Sequence, residues 1–152
     1  MAERYKIIPA VFLMLIQNGT ILLSRRSNTG WQDGNYGLPA GHGEDKETMR
    51  EGVVREALEE IGIAIEASDL ELVLTQHGWY HDSNNPHARI NFFFIPKKWS
   101  GNIDNKEPDK CSDLQFSPLD DLPSNTIDHI RAAIESYKGG EHYSECGWGE
   151  RR

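Results

Sequence analysis

Glu56, Glu59 and Glu60 stand at offsets of three and four in the run VVREALEEIG, residues 53–62. On an α-helix this spacing gathers the three carboxylates into an arc of roughly 100°. Like charges so placed repel by about a few tenths of a kcal/mol per pair, so the helix either spreads them into water or holds a cation among them. The apolar positions bear on the choice. Val53, Val54, Ala57, Leu58 and Ile61 form one stripe, and the acidic arc borders it. A purely solvated acidic face would lie opposite the stripe.

The helix is expected over 47–61, with Gly62 as its stop. Gly52 lies one turn before Glu56 on the acidic arc. Glycine inside a helix costs about 1 kcal/mol relative to alanine. It reads either as clearance for bound ions or as an incidental helix glycine. Arg55 faces away from the stripe, where it can tie down Glu47 and hold Glu56 in place.

The elements that position this helix follow from pattern and punctuation. Residues 5–17 and Ile21-Leu22-Leu23 read as a β-hairpin closed at Asn18-Gly19. Residues 27–37 form an exposed loop rich in glycine. Strands are expected at 70–75, 90–95 and 114–116, with polar loops over 77–87 and 100–112. A second helix is expected over 125–137. The strand at 90–95, INFFFI, is apolar enough to be buried on both faces. Strands interleaved with two helices give an α+β fold, a mixed β-sheet with a helix on each side. The chain suits one domain over 1–152, and the segment 139–152 begins at a hinge-like Gly139-Gly140. Through Tyr143 and Trp148 this tail either covers a pocket or neighbour, or frays as a flexible end.

A formal net charge of -8 with no basic cluster argues against a nucleic-acid-binding surface. A small polyphosphate remains compatible if divalent cations stand between it and the carboxylates. The longest apolar run, residues 11–16, is too short to span a membrane, and no signal-peptide core follows the N-terminus. Cys111 and Cys146 are expected as reduced thiols, and the location as cytoplasmic. His77, His81 and His87 lie among turn formers and read as a polar loop in preference to a zinc site. Trp31, Tyr36, Trp79, Tyr80 and Phe92 are candidates for stacking on a nucleobase or for packing.

Read outward from the acidic arc, the pattern is Gly41, five residues, Glu47, seven residues, Arg55-Glu56, two residues, Glu59-Glu60, one residue, Gly62. With the aliphatic Ile63 after it, this resembles the signature of the Nudix, or MutT-like, hydrolase family at every fixed position. Ala57 departs from the larger aliphatic usual there. The resemblance implies an α/β/α sandwich that hydrolyses a nucleoside diphosphate linked to another group, water attacking at phosphorus. Glu56, Glu59 and Glu60, supported by Arg55 and Glu47, become the catalytic set, and their hard oxygens suit Mg²⁺ or Mn²⁺. Glu56 is the candidate to orient or deprotonate the water, although the base varies within the family.

Similarity in the flanking segments adds the Ala40 carbonyl and Glu107 as metal ligands, with Asp109 as a substitute for Glu107. It also places His42 and Arg26 near substrate phosphates and Asn125 near a base. Asn125 reads equally as the N-cap of the second helix, with Asp128 at the third position. The leading substrate is a nucleoside triphosphate, released as monophosphate and pyrophosphate by a monomer or homodimer. A nucleotide sugar or dinucleoside polyphosphate, or a nucleotide sensor that cleaves nothing, are the other readings.

Overall fold

The computed structural model describes residues 2–81 and 85–150. Its elements run β1 (Ile8–Leu13), β2 (Ile16–Gln17), β3 (Thr20–Arg26), β4 (Tyr36–Gly37), β5 (Ala40–His42) and α1 (Met49–Ile61). They continue with β6 (Leu70–Tyr80), β7 (His87–Pro96), β8 (Cys111–Pro118), α2 (Asp128–Lys138) and β9 (Tyr143–Cys146). The period-two alternation of β1 and the residues after it organises the interior. Val11, Leu13 and Leu15 point to one face, where Val53, Ala57 and Ile61 of α1 pack. Ala10, Phe12 and Met14 point to the other, against Ile130, Ala133 and Ile134 of α2. The result is an α/β/α sandwich with a core on each side of the strands.

Two sheets make the central layer. One is mixed, in the order β5-β1-β7-β6-β9, with β1 parallel to β7 and antiparallel to β5. The other is antiparallel: β3 pairs with β2, β4 and β8. The hairpin expected at the start is therefore split. Only β2 and β3 pair across Asn18-Gly19, which take φ of 53° and 72° as a tight hairpin turn requires. β1 leaves for the other sheet, because a strand buried on both faces carries no solvent side to mark its partner.

The polar loop expected over 77–87 is largely strand: β6 and β7 remain paired to Tyr80↔His87, and residues 82–84 lie outside the described residues. Polar side chains are accommodated inside the ladder. Asn91 Nδ2 donates to Gln76 Oε1 at 3.0 Å, and Gln76 Nε2 donates to the His129 carbonyl at 3.0 Å, both amides being fully buried. β8 likewise extends beyond the expected 114–116, and the tail contributes β9, parallel to β6.

α1 starts at Met49, two residues later than expected. Thr48 and Glu51 form a capping box, which leaves Glu47 in the preceding loop. Gly62 ends the helix at φ 75°, its N–H bonded to the Leu58 carbonyl. Leu58, counted with the apolar stripe, is 58% exposed, so the buried face is narrower than the sequence suggests. Ile61→Ala should therefore cost about 2–5 kcal/mol in urea unfolding, whereas Leu58→Ala should cost under about 0.5 kcal/mol. Equal losses would contradict this facing of α1.

Candidate active site

The acidic side of α1 faces β5 and the end of β3 across a cavity of about 550 Å³, lined by Glu44, Arg55, Glu56, Glu59, Glu60 and Glu107. Glu60 Oε2 accepts the Ala40 N–H at 2.9 Å. Burial, then the neighbouring Glu56, push the Glu60 carboxyl up to about 9, with Glu107 adding to the shift; the Ala40 N–H and Arg26 oppose it. Burial also raises Glu56, against the pull of Arg55. Glu56 reaches its position because β5 has no side chain at Gly41, where a Cβ would overlap the Glu56 carboxyl.

Arg55 ties the acids together. Its Nε and Nη2 grip Glu47 at 2.7 and 3.1 Å, and its Nη1 donates to Glu56 Oε1 at 2.5 Å. Nη2 also donates to the His42 carbonyl at 3.3 Å, while Nη1 lies 3.5 Å from Glu44 and 3.6 Å from Glu59. The paired carboxylates raise the Arg55 pKa, and the guanidinium holds Glu47 below the usual carboxylate range. Gly52 makes room within this arrangement. A Cβ there would come within 3.0 Å of Glu47 Oε1 and 3.4 Å of Val11 Cγ2, so the clearance serves Glu47 and β1 in place of the ions expected.

The structure brings Glu56, Glu59, Glu60, Glu107 and Ala40 to one cavity, together with Arg26. Arg26 is braced by Nε to the Trp31 carbonyl at 2.8 Å and Nη2 to Thr29 Oγ1 at 3.0 Å. Asp109 is absent from the lining; its carbonyl accepts Asn28 Nδ2. His42 lines an adjoining cavity of about 370 Å³, where burial first, then Arg89 and His87, lower its pKa. Asn125 lines neither cavity: its Nδ2 donates to the Gly34 carbonyl at 2.8 Å. The cap reading of Asn125 is overturned, since Ile127 occupies the N-cap of α2 and no side chain caps it.

Sequence reasoning passed over Arg89 and His129, which line the second cavity with His42. Arg89 carried a signal, a cation just ahead of INFFFI; His129, inside a helical pattern, carried none.

Among the described residues, no three His, Cys, Asp or Glu side chains form a ready-made metal cage. Glu56 is turned to Arg55, and Glu60 to the Ala40 N–H. The donors nevertheless fit a hard divalent cation. They are carboxylates, two of them held above the usual range by burial and by neighbouring carboxylates, which a cation would relieve.

The chain matches the NUDIX domain family over residues 6–137. It is 28% identical to a MutT NUDIX hydrolase from Burkholderia pseudomallei, with a TM-score of 0.75 over 86% of this chain and 98% of that one. A MutT protein from Methanosarcina mazei Go1 shares the fold at 20% identity and a TM-score of 0.71, over 91% and 97% of the two chains. A nucleoside triphosphate pyrophosphatase/Nudix hydrolase fusion protein from Bifidobacterium longum is 27% identical over 107 residues. That match spans 70% of this chain but 21% of the fusion protein.

The raised carboxyls give the metal-free protein a pH dependence of definite sign. Folded Glu60 holds its proton to about 9, whereas the unfolded chain releases it near 4.5. Stability should therefore be fully present below the unfolded value and fall as pH rises from about 5 to about 9. In EDTA, urea midpoints should decline across that window, and Glu60→Gln should flatten the decline and be the more stable protein at about pH 8. Identical slopes would contradict the assignment.

Proposed function

The chain belongs to the NUDIX domain family, and on that premise we propose that it hydrolyses the phosphoanhydride of a nucleoside diphosphate joined to another group. The leading substrate is a nucleoside triphosphate, cleaved to monophosphate and pyrophosphate. One observation carries this reading: Glu56 and Glu60, with Glu59 and Glu107, share a cavity whose rim holds Arg26. Carboxylates alone would repel a polyphosphate; carboxylates gathered for cations, beside a guanidinium, are suited to one.

Glu56, Glu59, Glu60 and Glu107, with the Ala40 carbonyl, would hold Mg²⁺ or Mn²⁺. Such ions offset phosphate charge, acidify a bound water and stabilise the leaving phosphate. The chain's own groups do the rest. Glu56 orients the water and accepts its proton as the oxygen bonds to phosphorus and the anhydride P–O bond breaks. Arg55, anchored on Glu47, sets the position of Glu56. Arg26 receives phosphate oxygens, and His42 borders the path beyond, its lowered pKa favouring the neutral ring. Asn125 reaches a base only if its bond to Gly34 gives way.

A nucleotide sugar or a dinucleoside polyphosphate is the second reading, favoured by the space that continues past Arg26. A sensor that cleaves nothing is disfavoured by the complete acid set. No helix among the described residues is long and apolar enough to cross a membrane. With two free cysteines, a cytoplasmic enzyme acting as a monomer or homodimer accords with this reading.

A phosphate-release screen over nucleoside triphosphates, nucleotide sugars and dinucleotides, with added pyrophosphatase, separates the substrates. EDTA should abolish turnover, and Mg²⁺ or Mn²⁺ should restore it. Glu56→Gln keeps the shape but removes the charge and the basicity, so kcat should fall by about 10³-fold or more. Metal-free stability should hold or rise by about a few tenths of a kcal/mol. A fully active Glu56→Gln protein would move the chemistry to other groups.

A further inference from the structure

Residues 138–150 lie beyond the stretch matched by the family, yet they are tied to the end of the sheet. β9 runs parallel to β6 from Thr75↔Tyr143 to Gly78↔Cys146. Trp148 then folds back: its indole N–H donates to the His77 carbonyl at 2.8 Å, and its ring centroid lies 4.4 Å from that of His77 and 5.6 Å from Trp79. Gly147 permits the approach, with φ at 79° and a Cβ position that would run into the Trp79 carbonyl.

Held there, Cys146, Gly147 and Gly149 wall a third cavity of about 550 Å³, whose other sides include Trp31, Tyr80 and Ala132. It shares Trp31, Ile127 and His129 with the second cavity. The second in turn shares Arg26, Gly37, Leu38 and Ala40 with the carboxylate cavity. Three chambers thus adjoin in a row, and their chemistry changes along it. The first is lined by five glutamates; the second has no carboxylate, and holds Arg26, Arg89, His42 and His129; the third is walled by Trp31, Trp79 and Tyr80. Burial pushes His129 down to about 3, so the ring at the junction of the last two chambers is neutral at ordinary pH.

We propose that the tail completes the substrate site, and that the third chamber receives a planar heteroaromatic ring of the nucleotide while the diphosphate lies in the first. Resting on the phosphoanhydride reading above, this makes β9 and the Trp148 anchor determinants of substrate specificity. Trp31 and Trp79, both half-buried in the chamber wall, offer aromatic surface to such a ring, while the buried Tyr80 backs Trp31 edge-on with ring centroids 6.4 Å apart. Donors in the middle chamber offer bonds to acceptors between ring and phosphate. The ring is either the base of a nucleoside triphosphate or that of the second nucleoside in a dinucleoside polyphosphate.

Two variants of the full chain test this. Ala132→Phe fills the third chamber from an exposed position on α2, and Trp148→Ala removes the tail's anchor. Steady-state kinetics with nucleoside triphosphates, dinucleoside tetraphosphate and ring-free tripolyphosphate should show KM raised roughly tenfold or more for ring-bearing substrates in Ala132→Phe, with kcat within about twofold. Trp148→Ala should shift KM in the same direction, and tripolyphosphate should be unaffected in both. A penalty on nucleoside triphosphates identifies the ring as the nucleobase; one confined to the dinucleotide identifies it as the second nucleoside's. Unchanged KM values, or an equal penalty on tripolyphosphate, would overturn the proposal. If the parent cleaves no phosphoanhydride, the functional reading fails separately, and adenosine binding in EDTA, read by tryptophan fluorescence, decides the ring site alone. Weaker quenching in Ala132→Phe supports it; equal quenching, or none in the parent, overturns it.

Discussion

Two carboxyls pressed together away from water set the terms for the rest of this structure. Glu56 and Glu60 lie on adjacent turns of α1 against β5, each raised by burial, and Glu60 further by the charge of Glu56. Such a pair is stable only if protonated or neutralised. The chain's own groups supply both remedies. Glu60 is favoured in its protonated form, and Glu56 leans on Arg55. Arg55 is itself shared with Glu47, so the helix, the loop before it and the β5 carbonyl at His42 are tied to one guanidinium.

The sandwich makes this arrangement rigid. Val53, Ala57 and Ile61 fix the rotation of α1 against Val11, Leu13 and Leu15, which turns Glu56 and Glu60 toward β5 and leaves Glu59 exposed. β5 pairs with β1 through Ala10↔His42 to Phe12↔Ala40, so the strand that carries the Ala40 N–H and the side-chain gap at Gly41 is held by the same strand that anchors the helix, with Val11 common to both. On the far face β6 carries Trp79 and Tyr80 of the aromatic wall and is linked to α2 through the buried Gln76 amide, which Asn91 of β7 holds in turn. Polar bonds there do what apolar packing alone could not: they fix the register of the ladder and the start of α2 together.

The acidic arc, the apolar stripe and Gly62 were legible because helical periodicity is a local property. The two flanking helices and the sandwich followed from the order of elements. What was not legible depends on distant partners. Residues 5–17 alternate equally well for one sheet or two, and only the β7 pairing sends β1 away from the hairpin. His77 to Tyr80 looks polar in sequence but is strand, since its partners at 87–90 complete the ladder. Gly52 makes room for Glu47 and Val11, and the glycine that clears space for Glu56 is Gly41, on the strand and not on the helix. Asn125 has the chemistry of a cap, yet a carbonyl in a loop far back in the chain takes its amide. Nothing in the tail's composition marks β9 as a strand; its pairing with β6 does.

Burial favours a proton on the Glu60 carboxyl, and a cation bound there would have to displace it. Calorimetric titration of Mg²⁺ into the metal-free protein at about pH 7, in buffers of different ionisation heat, counts the protons released on binding. With Glu60 raised to about 9, about one proton should be released per protein, falling toward zero in Glu60→Gln. Mg²⁺ binding with no proton release in the parent would contradict it, for the acids would then be ionised already and the strain assigned to them would not exist.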